Sequence, residues 1–374
     1  MSDNFCLSSR NQAERKMHRA ISNSWFSLRP ALATRDKLKF VAHLVLTVCS
    51  ISIVHAQSAS LKTYRGSLGD KHIEMRLTIG GSKVTGSYFY DRFKQDIPLE
   101  GTYDAKGQLE LIEGAGKRKT GKFICKKESE TPDIDLDCEW SRPDGTGKAL
   151  VFLHEQGLRF TTETKVTPKL FTDRKGKVEA SYPQMSASVL TPAMSEFNRL
   201  VELRVQETIK EFQPESYANA AFDTTYNVLF ADDDRISVEM NEYSDVGGAH
   251  PNDYFWTLNY DLKANKKLTL DDVFKPDVEY KTAIAEFVAK DINRRADQME
   301  RDEARRNNRP PEKRDQPVMT VDQLPEMDNW GFSPKGLVVY FDFAHVMAVF
   351  SKTVVPYSVV ARYLKPNSVV PLVR

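Results

Sequence analysis

Residues 73–90 read IEMRLTIGGSKVTGSYFY. Ile73, Met75, Leu77 and Ile79 alternate with Glu74, Arg76 and Thr78, the period of two that places apolar side chains on one face of a strand. Gly80-Gly81 ends that run and Gly86 to Tyr90 carries another, so the stretch reads as a β-hairpin. The same alternation returns in QLELIE (108–113) and ALVFLHE (149–155), with turn signals at Asp104 to Gly107, Gly114 to Gly116 and RPDGTG (142–147). From Leu61 to about residue 160 the expectation is an all-β antiparallel meander closing into a small barrel or sandwich, without a helical stretch. Tyr88, Phe89, Tyr90 and Trp140 read as the interior and rim of that domain rather than as an aromatic ligand surface.

Upstream, the apolar run FVAHLVLTVCSISIV (40–54) follows Arg35, Lys37 and Lys39 and ends in Val54-His55-Ala56 before Gln57. That order of charged, apolar and small residues is a secretory signal, so residues 1–56 are read as a leader cleaved near Ala56. The run is shorter than the roughly 20 residues that span a bilayer. The expected location is therefore periplasmic or secreted, with membrane contact only through an uncleaved leader. Beyond the leader the cysteines are Cys125 and Cys138, an even number in a chain expected to reach an oxidising compartment, and a disulfide between them is expected.

The 374 residues, 40% hydrophobic and 28% charged, exclude wholesale disorder and a multi-span membrane protein, and suffice for two domains. Residues 1–56 hold 8 Lys/Arg against 3 Asp/Glu, so the remainder of a chain of net charge +1 is slightly acidic. That balance speaks against a nucleic-acid partner. Residues 161–190 are polar and turn-rich, which puts a boundary near 165–175 between a β-rich domain (57–170) and a second domain (176–374).

The second domain opens with a helix: Thr191 as N-cap, Pro192 at N1, then Met194, Phe197, Val201 and Val205 at spacings of three and four, and Pro214 as the stop. A hairpin around the acidic turn Asp232 to Asp234, a strand from Tyr254 to Tyr260, and a second helix carrying Tyr280, Ile284, Val288 and Ile292 follow. The run NRRADQMERDEARRNNRPPEKRDQP reads as a solvated helix end and loop. Leu337 to Phe343, VMAVFS (346–351) and VVPYSVV (354–360) read as closing strands, giving an α+β domain with helices packed on an antiparallel sheet.

Candidates for chemistry are few. Past the leader the histidines are His72, His154, His250 and His345, and no nucleophile elbow, P-loop, H-E-x-x-H or dinucleotide fingerprint occurs. The segment YSDVGGAHPN (243–252) breaks a strand with two glycines and sets Asp245, Gly247, Gly248, His250 and Asn252 on a loop; with His345 these are the candidate binding residues. A structural turn is favoured over catalysis, so no catalytic residue, metal or cofactor is assigned. The enzyme alternative is a metal-assisted cell-wall hydrolase in which Asp245, His250 and His345 meet in space. Asp232, Asp233, Asp234, Glu239, Glu242 and Asp245 form an acidic cluster in sequence that suits a cationic partner.

The segments VGGAHPN (246–252), FWTLNYDLKANKKLTLDDVF (255–274) and GLVVYFDFAHVMAVFSKTVVPY (336–357) resemble the extracellular domain of lysozyme-sensing anti-sigma factors of the RsiV type, a domain of unknown function also found beside the catalytic domain of some peptidoglycan deacetylases. Residues 178–209 are similar to the segment that precedes it there, so the resemblance spans roughly 176–366. It implies an exported, non-enzymatic binding or sensing protein whose partner is a lysozyme-like protein or a peptidoglycan fragment. The deacetylase catalytic domain has no counterpart, and FAHVMAVFSKTVVPY departs from the closing motif usual in that domain. A membrane-anchored signalling regulator, with residues 1–39 as a cytoplasmic tail, is the remaining alternative. N-terminal sequencing separates the two: a mature chain starting at Gln57 is expected, whereas an intact leader sinks export by cleavage.

Overall fold

Eight strands, β1 (Ser60–Leu68), β2 (Lys71–Gly80), β3 (Lys83–Tyr90), β4 (Ile97–Tyr103), β5 (Leu109–Ala115), β6 (Arg118–Cys125), β7 (Leu136–Ser141) and β8 (Ala149–Glu155), form an antiparallel meander that closes when β8 pairs with β1. The computed structural model describes residues 59–370 apart from 105, 117, 127–133, 174, 176, 213–219, 248, 249, 328, 367 and 369. The leader at 1–56 and its cleavage point lie outside the described residues. Among those residues no helix is long and apolar enough to cross a membrane.

The barrel is closed and filled. Ile73, Met75, Leu77, Leu111, Phe123 and Val151 have no exposed surface, and Tyr88 packs edge-on against Phe123. Trp140 and Tyr90 lie partly buried against this core, as their rim reading requires. Two glycines let adjacent strands coil closely: a Cβ on Gly86 would stand 1.9 Å from the Arg76 carbonyl oxygen, and one on Gly101 1.9 Å from that of Glu110. Cys125 and Cys138 face each other across β6 and β7 and are disulfide-bonded.

Beyond the barrel, strands run in the order β14-β13-β12-β11-β10-β9: β9 (Lys165–Thr172), β10 (Val178–Ser186), β11 (Ala221–Ala231), β12 (Arg235–Asp245), β13 (Asn252–Asp261) and β14 (Lys266–Lys267). This corrects the reading of 161–190 as turn-rich, because β9 and β10 occupy most of it. β9 is an edge strand with alternate residues in solvent, and its Lys, Thr and Pro content masks the period. The sheet is also not wholly antiparallel: β10 and β11 pair in parallel from Val178 opposite Phe222. A parallel pair needs a crossover, and helix α1 (Pro192–Glu211) supplies it, capped by Thr191 Oγ1 accepting from the Met194 N–H. Its Phe197, Val201 and Val205 pack on Val228, Val238 and Met240.

The opposite face of that sheet receives a second, three-stranded sheet: β15 (Asn329–Ser333), β16 (Gly336–Tyr340) and β17 (Lys352–Val355). With short α2 (Leu270–Val273), long α3 (Tyr280–Arg306) and α4 (Tyr357–Val360) it encloses a separate core around Ile284, Val288, Ile292, Phe332 and Val339. The charged run ends α3 rather than replacing it: Arg309 pairs with Glu300 at 2.6 Å and Arg314 with Asp297 at 3.1 Å, folding the loop back along the helix. The stretch 346–351, read as a strand, lies mostly in a 3₁₀ turn over 345–350, and 357–360 of the next expected strand form α4. Val346 and Val349 are 86% and 52% exposed there, so the apolar run is a surface turn and not a core strand.

Barrel and sheet are joined by a buried polar knot. Arg65 of β1, 1% exposed, donates to Asp91 at 2.6 and 3.2 Å, to Glu74 at 3.4 Å and to Ser181 of β10 at 3.4 Å, with its guanidinium 4.0 Å from the Tyr226 ring centre. His72 Nε2 lies 2.8 Å from Asp223 of β11. Gln156, just after β8, accepts from the Val228 N–H at 2.6 Å. Removing one partner of such a cluster leaves charges buried without compensation. Arg65→Ala is therefore expected to destabilise the fold by about 3–5 kcal/mol, read as a lowered denaturation midpoint.

Candidate functional site

In strands β11 to β13, residues two apart share a face. One face carries Val228, Val238, Met240 and Leu258 onto α1. The other carries Asp223, Thr225 and Asn227 of β11, Glu239, Asn241 and Tyr243 of β12, and Asp253 and Phe255 of β13. Register brings these together: Thr225 opposes Asn241, Asn227 opposes Glu239, and Asn241 opposes Phe255. A cleft of about 900 Å³ opens over this polar stripe, walled by His250 to Asn252, by 340–344, by Ala348 and Val349 of the 3₁₀ turn, by Lys352, and by His154 of the barrel.

The floor is set by Glu239, 2% exposed. Tyr340 donates its hydroxyl proton to this carboxylate, Asn227 Nδ2 donates at 3.1 Å, and the Lys352 ammonium lies 2.8 Å away. Burial by itself pushes the Glu239 carboxyl up; the Lys352 charge and the hydrogen bonds outweigh it and hold the pKa at about 2. Phe255 stacks on Tyr340 at 5.7 Å between ring centres, closing one side. Two polar atoms stay unused: Asn241 Oδ1, an acceptor, and Thr225 Oγ1, a hydroxyl that can donate or accept, are buried in residues that line the cleft and have no hydrogen-bond partner among the described residues. Tyr254 is 50% exposed and, two residues from Trp256, belongs to the face that carries α1.

The sequence-derived candidates divide. His250 and Asn252 line the cleft, Asn252 as the first residue of β13 and His250 exposed with Nδ1 donating to the Pro251 carbonyl at 3.1 Å. Asp245 ends β12 and accepts from the Gly247 N–H at 3.0 Å, with Gly247 at φ +90°, which is a turn role; Asp245 is not among the lining residues. Gly248 lies outside the described residues, as does the side chain of His345, whose backbone is in the 3₁₀ turn. Among the described residues no group of three His, Cys, Asp or Glu could hold a metal ion.

The acidic cluster is split. Asp232 to Asp234 sit at one end of the β11–β12 hairpin and Asp245 at the other, about 30 Å away along the strand. Asp232 accepts from the Asp234 and Arg235 N–H groups, and Asp233 from Thr161 and Thr162, so both serve turns. Burial raises the Glu242 pKa, and its carboxylate accepts from Trp256 Nε1 at 2.6 Å. Thr225, Asn241, Tyr340 and Lys352 carry no motif that marks them in the sequence. The available signal was polar residues two apart in strands otherwise rich in Val, Phe and Met.

Residues 271–350 match a family described as "Protein of unknown function (DUF3298)". The chain is 26% identical over 101 residues to the peptidoglycan-N-acetylmuramic acid deacetylase PdaC of Bacillus subtilis (strain 168), a stretch that is 27% of this chain and 22% of the deacetylase. Two solved structures are also similar. A DUF3298 family protein from Pseudomonas aeruginosa PAO1 shows 17% identity and a TM-score of 0.39, over 56% of this chain and 97% of that one. A DUF3298 family member from Bacteroides fragilis NCTC 9343 shows 15% identity and a TM-score of 0.38, over 55% of this chain and 95% of that one. The cleft wall formed by residues 340–349 lies within the matched stretch, and the C-terminal region of the chain thus carries a DUF3298 domain.

Proposed function

We propose that the chain is an exported, non-enzymatic binding protein of the cell envelope and that the cleft over β11 to β13 recognises a cell-wall fragment or a lysozyme-like protein. One observation carries this reading: the cleft is lined by residues with unsatisfied hydrogen-bonding atoms and by the Phe255 ring, while its buried carboxylate is fully committed to the protein's own groups. A general acid or base needs a pKa near the working pH. Glu239, held at about 2 and bonded on all sides, is built to stay ionised and in place. Similarity to a protein named for acting on peptidoglycan supports the wall as the ligand's source, and the resemblance to RsiV-type sensing domains supports recognition as the task.

Two measurements check this. Calorimetric titration with muropeptides and with lysozyme is expected to show saturable binding to one of them, weakened about tenfold by Asn241→Ala, the effect of losing about 1.4 kcal/mol. Silence with both at millimolar concentration removes the proposal. For the floor, the sign follows from a depressed carboxyl pKa: the stability Glu239 contributes is complete above its ordinary value of 4.5 and is lost as pH falls towards 2. Lys352→Met leaves the carboxylate buried without its cation. It is expected to cost about 3–5 kcal/mol at pH 7 and to shift acid unfolding to higher pH, followed by fluorescence.

A further inference from the structure

We propose that the open edge of β13 beside this cleft takes an extended peptide segment of a partner as an added strand, with a lysine or arginine opposite Asp253 and an apolar side chain opposite Phe255. The inference rests on the binding reading above and narrows its partner to a polypeptide.

The edge follows from the hydrogen-bond pattern of β13. In an antiparallel pair, successive residues point both backbone groups alternately at the neighbouring strand and away from it. The Asn259 carbonyl accepts from the Leu268 N–H at 2.8 Å, on the side away from β12, so Asp253, Phe255 and Thr257, at spacings of two, point the same way. On that side β14 covers Tyr260 and Asp261, and among the described residues no strand covers Asn252 to Thr257. One side chain reaches in: Asn329 Nδ2 donates to the Phe255 carbonyl at 3.2 Å, which leaves that oxygen a second lone pair. Lysine, a common guard against strand addition, is absent from Asn252 to Thr257.

The cleft wraps this edge. Its lining takes Asn252, Asp253, Tyr254 and Phe255 in succession, residues of both faces of β13, together with 341–344. β17 also ends its sheet, but of its four residues Lys352 alone lines the cleft, and that ammonium lies 2.8 Å from Glu239. An added strand on β13 satisfies the N–H and C=O groups of the incoming peptide as well as those of the edge.

Face and charge then fix the occupant. Asp253 and Phe255 lie on the floor side of the sheet, so the residues opposite them on an added strand lie there too. A cation opposite Asp253 makes a favourable cross-strand pair, and an apolar side chain opposite Phe255 packs on its ring. The rest of the lining adds the carboxylates of Asp223 and Asp342 and no arginine, which repels an acidic segment. A second copy of this chain, joining along 252–255, would bring its own Asp253 onto the same face, like charge beside like charge.

The test titrates the full chain, by calorimetry and by the amide signals of Asp253 and Phe255, with a capped pentapeptide of threonine, leucine, threonine, lysine and threonine in that order. Set antiparallel to β13, its leucine meets Phe255 and its lysine meets Asp253. Binding is expected, and exchanging the lysine for glutamate should weaken it by about tenfold or more, less so at high salt. Methylating the leucine and lysine nitrogens, whose N–H groups face β13, should abolish binding; methylating the second and third threonine nitrogens, which face away, should leave it. These changes sit in the peptide and leave the fold untouched. Asp253→Asn should cut the preference for lysine at unchanged melting temperature. Equal loss from both methylation patterns, or no peptide binding while muropeptides or lysozyme bind, overturns strand addition and leaves the binding cleft standing. A chain found dimeric by ultracentrifugation, and split by the peptide, overturns the partner in favour of a second copy. If the peptide, muropeptides and lysozyme all fail, the binding reading falls as well.

Discussion

A carboxylate with 2% exposure has to be answered by its surroundings, and Glu239 is answered from three other strands: Asn227 on β11, Tyr340 on β16 and Lys352 on β17. Burying an ion is worthwhile only where partners replace the lost water. This requirement ties the three-stranded sheet to the six-stranded one at a fixed register. Once Tyr340 is anchored, Phe255 has a ring to stack on, and the segment between β16 and β17 is held beside the floor as the cleft wall.

The contact between the two sheets has the same character. Trp330 offers its carbonyl to Thr257 and Asn259 at 2.7 and 2.6 Å, and the Phe332 N–H donates to Ser237 Oγ at 3.1 Å. Gly331 between them cannot carry a side chain, since a Cβ would stand 2.4 Å from Leu229 Cδ1 and 3.0 Å from Ser237 Oγ. The backbone of β15 is thus seated on Ser237, Thr257 and Asn259, on the same face of the sheet as the floor of the cleft.

Much of this architecture was legible where the signal is local. Period-two alternation in 73–90 and 149–155 gave the barrel strands, Thr191-Pro192 gave the start of α1, and the cysteine count gave the disulfide. The misses have physical causes. Lys165, Pro168 and Lys169 made an edge strand look like a linker, and Val346 and Val349 made an exposed turn look like a core strand. The parallel pairing of β10 and β11 depends on a crossover whose handedness and length are properties of the packed sheet. The site was the least legible part, because Glu239 and Tyr340 are 101 residues apart and no local pattern announces that they meet. His250 stands out in a histidine-poor sequence, whereas the cleft floor is organised by amides, a phenol and a lysine.

The division of the chain into local and distant pairings bears on the order in which its parts can close. Every barrel contact except β1 with β8 joins neighbouring strands, so that module needs nothing beyond residue 155 to shut. Ser237, Asn259 and Leu229, by contrast, wait for a segment that begins at residue 329. Until that segment docks, the half-made sheet shows a wet face, and its completion is the slow, non-local part of folding.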